Sequence, residues 1–314
     1  MVYSDKNYCS ESINYKNGTC YRLDDLKLIG KELKIKDYEN YTKKTQQKLW
    51  NKIKNTLKDC PSEVCWIKHP LLKNLFNKNI RFSNKDNKSL PHSIQFFRFK
   101  PTKPDEDGHN TWLSTIDIEN LLNQLDKKHK DFKFLGAVPI NFDEDIGKVN
   151  GFLTNSCVSE DLCKLDIIDL INNGIRKIGI VFNMDPHYKS GTHWTSMFIE
   201  IDNKNKNVSI EYFDSFGLSP KNEIKTLIER ITTKLSSQYN IINRINKIKF
   251  QENNTECGVY SIYYIRERVL GYSFDTFIEN LNKIKYKNRF KPDNIMSNLR
   301  NVFFIPKELE NIKQ

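Results

Sequence analysis

The chain has 314 residues, of which 38% are hydrophobic and 12% aromatic, enough for a packed core and too many for a disordered chain. It contains no run of eighteen apolar residues, which excludes a hydropathic membrane-spanning helix, and the opening MVYSDKNYCSES has no apolar core of a secretion signal. A net charge of +11 permits nucleic acid or an acidic surface as partner, but the basic residues are scattered, which favours a composition bias over a DNA-binding stripe.

Residues 1–40 read as polar and irregular. In 43–59, KKTQQKLWNKIKNTLKD, Leu49, Ile53 and Leu57 recur every four residues and predict a helix. CPSEVCWIKHPLLKNLF adds a turn and a second helical patch, ended by the polar run 77–93. The stretch 99–110, FKPTKPDEDGHN, has the composition of a linker. It sets the expected division into a mainly helical domain, 1–105, and a second domain, 106–314.

The second domain opens with a helical pattern over 111–132, with Ile116, Leu121 or Leu122, and Leu125 as its apolar stripe and Ser114 or Thr115 as cap. FKFLGAVPINFD and KIGIVFNM read as strands. Over 193–214, HWTSMFIEIDNKNKNVSIEYFD, Met197, Ile199 and Ile201 alternate, as do Val208, Ile210 and Tyr212, around the turn-forming DNKNKN: a β-hairpin. A turn centred between Asn203 and Lys204 would place His193 directly opposite Asp214, an imidazole beside a carboxylate. A helix over 221–238 follows, with Ser219 as cap and Pro220 in its first turn. NRINKIKF ends strand-like. In QENNTECGVYSIYYIRERVLGY, a helix begins at Cys257, with Thr255 as its cap.

Seven cysteines are present: Cys9, Cys20, Cys60, Cys65, Cys157, Cys163 and Cys257. The odd count, with no signal peptide, predicts free thiols in a reducing compartment. A lone cysteine is more often a small buried hydrophobe than a nucleophile. Cys257 differs, because a helix N-terminus favours the thiolate of a cysteine placed there. A nucleophilic thiol needs a base, and the base an orienting acceptor. The hairpin supplies His193 and Asp214. Oxyanion donors would be the Cys257 N–H and the Gln251 amide.

HW, EYFDSFG and Q…ECGVY, in that order, resemble the cysteine proteases that process SUMO and other ubiquitin-like proteins, an order shared with adenovirus protease. CPSEVCWIKHP, GTHW, SIEYFDSFGLSP and TECGVYSIYYIRERV, with a weaker echo in KPDNIMSNLRNVFF, are most similar to the polyprotein-processing proteases of the African swine fever virus and giant DNA virus type. The resemblance implies an α+β, papain-like cysteine protease core of the SUMO-protease/adenain type behind a mainly helical N-terminal accessory domain. It implies His193 as general base, Asp214 as its orienter, Cys257 as nucleophile and Gln251 as oxyanion donor, with Asn254 as a second amide near the site. Trp112 resembles the tryptophan that covers a Gly-Gly channel in SUMO proteases, and Trp194 would pack around the site. The implied activity is cleavage after Gly-Gly in a viral structural polyprotein during virion maturation, in the virion and the host cytoplasm, with no cofactor and no membrane partner.

Other readings stand beside this one. The same protease could act on SUMO or ubiquitin conjugates, or the fold could serve an effector-type acetyltransferase. DNA would matter only through the basic charge. Cys60, Cys65 and His69 have a loose metal-like spacing without a fourth ligand, so packing is expected and no metal is assigned. His187 is a rival base in a loop. Cys157 and Cys163 read as structural thiols.

Overall fold

The computed structural model describes residues 8–10, 18–60, 62–76, 100–101, 103–106, 109–149, 152–153, 156–287 and 291–306. The polar run 77–93 lies outside them. The chain divides into two compact units, Met1–Lys103 with Arg300–Gln314, and Pro104–Leu299. The closing segment from Arg300 therefore groups with the first unit, against the expected range of 106–314.

The first unit is built on α1 (Leu23–Glu32) and α2 (Gln46–Thr56). Leu49, Ile53 and Leu57 are fully buried, as their four-residue spacing predicts, against Tyr21, Leu26, Ile29 and Trp66. Helix α1 falls where the sequence reads as irregular. It buries Leu26, Ile29 and Gly30, with Leu28 packed at the edge of the same cluster, and Asp25 starts it by accepting the Arg22 N–H at 2.8 Å. Glu63, 1% exposed, accepts hydrogen bonds from the Thr19 hydroxyl, the Cys20 N–H and the Trp50 indole, so one buried carboxylate joins three segments.

Six cysteines are paired: Cys9–Cys20, Cys60–Cys65 and Cys157–Cys163. This corrects the expectation of free thiols. Each pair lies within bridging range, with Cα–Cα distances of 5.2, 5.5 and 6.6 Å. Cys257 alone accounts for the odd count, being the free thiol. The metal-like spacing of Cys60, Cys65 and His69 resolves into a disulfide and a His69 Nε2–Asp59 contact of 2.9 Å.

The second unit begins with α3 (Thr115–Lys128), capped by Ser114. Its buried stripe is Ile118, Leu121, Leu122 and Leu125; Ile116, expected inside, is 66% exposed. A five-stranded sheet follows, β1 (Phe132–Pro139), β2 (Lys177–Asn183), β3 (Trp194–Asp202), β4 (Asn207–Phe213) and β5 (Asn240–Ile245), in that spatial order. The outer pairs β1/β2 and β4/β5 are parallel and the inner pairs antiparallel. Parallel neighbours need long crossovers. These are the helical stretch Glu160–Asn172 between β1 and β2, and α4 (Asn222–Leu235) between β4 and β5.

Helix α4 starts after Lys221 without the side-chain cap expected from Ser219. It buries Ile224, Leu227, Ile231 and Leu235 on one sheet face, against Met197, Ile199, Ile201, Val208, Ile210 and Tyr212. The other face takes α5 (Cys257–Val269); α6 (Phe274–Lys287) and α7 (Pro292–Phe303) come next in the chain. Helix α5 is buried on nearly all sides, from Cys257 through Val259, Tyr260, Ile262, Tyr264 and Ile265. Gly179 on β2 lets it approach: an added Cβ would stand 3.0 Å from the Phe132 ring and 3.1 Å from Ile265. Glu211 on β4 faces this helix and receives Arg268 in two bonds, at 2.7 and 2.9 Å, and the Tyr264 hydroxyl at 2.6 Å.

Candidate active site

The hairpin is real, but its register differs from the expected one. Asp202 opposes Asn207 and Ser196 opposes Phe213, so the turn is four residues long and centred one residue later. Asp202 holds it by accepting the N–H groups of Lys204 and Asn205, both at 3.0 Å, and Lys206 takes a left-handed φ of 55°. Phe216, not Asp214, is the residue facing His193, and their rings lie 4.8 Å apart. His193 and Asp214 sit just beyond the ends of β3 and β4. They still meet, His193 Nε2 to Asp214 Oδ1 at 2.9 Å, because a two-residue shift keeps both on one face.

Asp214 is 1% exposed and its place is fixed from several sides. Its Oδ1 also accepts the Phe216 N–H at 2.7 Å, and its carbonyl accepts the Gly217 N–H and the Asn246 side-chain amide. Gly217, with φ +71°, lets this turn press onto Lys247–Ile248; a Cβ there would lie 2.7 Å from the Ile248 carbonyl carbon. The neighbouring Ser215 reaches the other candidate. Its hydroxyl donates to Gln251 Oε1 at 2.6 Å and its carbonyl accepts the Gln251 N–H at 2.9 Å. One turn, Asp214–Gly217, thus carries both the acid and the support of the amide.

Cys257 is the first residue of α5, 3% exposed, with Glu256 rather than Thr255 at the N-cap position. With Nε2 of His193 held by Asp214, the buried Nδ1 is the ring nitrogen that Asp214 leaves open. Burial opposes a charge on the ring. The Asp214 hydrogen bond and the neighbouring Cys257 outweigh it and raise the imidazole from its usual 6.5 to about 9.

Cys257 and His193 open on a cleft of about 280 Å³. Trp112, Leu113, Ser114 and Thr115 form one wall, Ser190, Gly191 and Thr192 another, with Asn183 and Trp194 also lining it. Trp194, 6% exposed, donates from its indole to the Leu113 carbonyl at 2.8 Å, while Trp112 is 48% exposed on the rim. Gly258 leaves room for this strap: a Cβ would stand 3.0 Å from that of Leu113. Gln251 is fully buried and off the cleft lining, and Asn254 is exposed on the loop beyond it. His187 bonds to Asn141 at 2.9 Å, away from the cysteine.

Leu113 and Asn183 carry no sequence signal, and Gly191, Thr192 and Ser215 fall inside GTHW and EYFDSFG without a role of their own. The glycine directly after Cys257 and the serine after Asp214 were the available signals, and neither carries chemistry by itself.

A thiol at a helix start beside a carboxylate-held imidazole is the chemistry of a thiol protease. Residues 120–301 match the model of the Ulp1 protease family, C-terminal catalytic domain, and the chain belongs to that family of cysteine proteases. Its relatives include a protein of Acanthamoeba polyphaga mimivirus named as a thiol protease, 27% identical over 285 residues, covering 84% of this chain and 85% of the relative. They also include a protein of African swine fever virus named as a SUMO-1 cysteine protease, 28% identical over 243 residues, covering 76% and 84%. The crystal structure of the African swine fever virus pS273R protease has the same fold, with a TM-score of 0.62 over 95% of both chains at 24% identity.

Proposed function

We propose that this protease cleaves a viral structural polyprotein after Gly-Gly pairs during particle maturation. Cys257 gives its proton to His193 Nδ1 and attacks the carbonyl carbon. Gln251 and the Cys257 N–H steady the oxyanion, and His193 returns the proton to the leaving amine. A thioester remains, and water, deprotonated by His193, releases the acid and restores the thiol. The observation that carries this reading is the 2.9 Å bond between His193 and the buried Asp214, which leaves Nδ1 for the thiol. The strapped cleft between Leu113 and Gly191 fits a substrate tail with little side-chain bulk. Products of the candidate polyprotein, sequenced from their new N-termini, test it: every cut is expected to follow Gly-Gly, and cuts elsewhere would overturn the specificity.

A second reading keeps the site and changes the substrate to SUMO or ubiquitin conjugates. The name of the African swine fever virus relative favours it. A SUMO vinyl sulfone that labels Cys257 within minutes would select this reading, and absence of labelling would select the polyprotein.

A further inference from the structure

The loop from Gln251 to Cys257 is anchored from outside. Asp293, in the first turn of α7, is 2% exposed. Its Oδ2 accepts the N–H groups of Glu252 at 2.9 Å and Asn253 at 2.8 Å, and its Oδ1 accepts the Tyr260 hydroxyl at 2.9 Å. Tyr260 lies one turn after Cys257 on α5. A single carboxylate therefore ties the backbone beside Gln251 to the helix that begins at the nucleophile. The Asn253 carbonyl in turn accepts one N–H of the Gln251 amide at 2.5 Å, and the Ser215 hydroxyl fixes which way that amide faces. These bonds leave the second N–H of the amide unused.

We propose that Asp293 is a positioning residue for the oxyanion donor. It touches no reacting atom and acts through Asn253 and Gln251. The inference rests on the reading of Cys257 and Gln251 given above. It also gives a task to KPDNIMSNLRNVFF, a segment the catalytic chemistry leaves unused.

The test pairs two reactions of the same thiol in the full chain. Cleavage of a Gly-Gly-X peptide passes through an oxyanion, whereas alkylation of Cys257 by iodoacetamide does not. Asp293→Ala is expected to lower kcat about 100-fold, the scale of losing one oxyanion donor, with KM and the alkylation rate within about twofold of wild type. Asp293→Asn is expected to recover most of the loss, because its carbonyl accepts the two N–H groups and its amide donates to the Tyr260 hydroxyl. Tyr260→Phe, which keeps both N–H bonds and the fold, is expected to lower kcat about fivefold through one lost hydrogen bond. Wild-type kcat in Asp293→Ala, or cleavage and alkylation falling together in either variant, would overturn the proposal. A wild-type protein that is alkylated but cuts no peptide would instead remove the reading of the site, and this proposal with it.

Discussion

His193 is held in an unusual electrostatic position: half-buried, bonded to a buried carboxylate on one nitrogen and neighbouring the Cys257 thiol. Its raised pKa sets the sign of the pH response. If, as proposed, the imidazolium protonates the leaving amine, it persists until pH rises through about 9, and kcat/KM is expected to fall on the alkaline side near that value. Asp214→Asn removes the charge that retains the proton, so the alkaline limb is expected at lower pH; an unmoved limb would show that Asp214 does not set it. Gly217 gives a second expectation at this scale. Its positive φ and its contact with the Ile248 backbone leave no space for a methyl group, so Gly217→Ala is expected to destabilise by about 1–3 kcal/mol. It should also slow cleavage by loosening the turn that holds Asp214. Equal melting temperatures for wild type and variant would contradict this.

The elements that matter most are the hairpin and α5. The hairpin was legible because Met197, Ile199 and Ile201 answer Val208, Ile210 and Tyr212 across one face. Its register was not, because DNKNKN offers several turn-forming pairs and Asp202 selects a four-residue turn only through its own hydrogen bonds. His193 and Asp214 pair in either register, because the two differ by an even number of residues. Helix α5 was legible at its start, but the buried ion pair that seats it was not, since Glu211 and Arg268 lie 57 residues apart. Removing Glu211 leaves Arg268 buried without its bidentate partner. Glu211→Ala is expected to cost about 3–5 kcal/mol in chemical denaturation, and a cost below about 1 kcal/mol would show that Glu200, also bonded to Arg268 at 2.6 Å, suffices.

At the scale of the whole molecule, the catalytic unit is a mixed sheet with helices on both faces, and the first unit is a small helical body stapled by two disulfides. The fold class was readable from the ordered motifs around His193, Asp214 and Cys257. The fate of the other cysteines was not, because a count says nothing of which turns bring two sulfurs together. The distribution of thiols predicts a simple result: alkylation of the native protein adds one label, at Cys257, and alkylation after reduction in denaturant adds seven. Two or more labels on the native chain would contradict the three bridges. Reduction is also expected to lower stability, by about 2–4 kcal/mol for a typical bridge, readable as a shift in the unfolding midpoint.

The proposed function makes Cys257, activated by His193, the nucleophile for cleavage after Gly-Gly. Its most direct measurement is the steady-state cleavage of a Gly-Gly-X peptide by the wild-type chain and by Cys257→Ala. Wild type is expected to release an amine product whose first residue is X, and Cys257→Ala is expected to release none above background. Equal cleavage by both proteins would contradict the account.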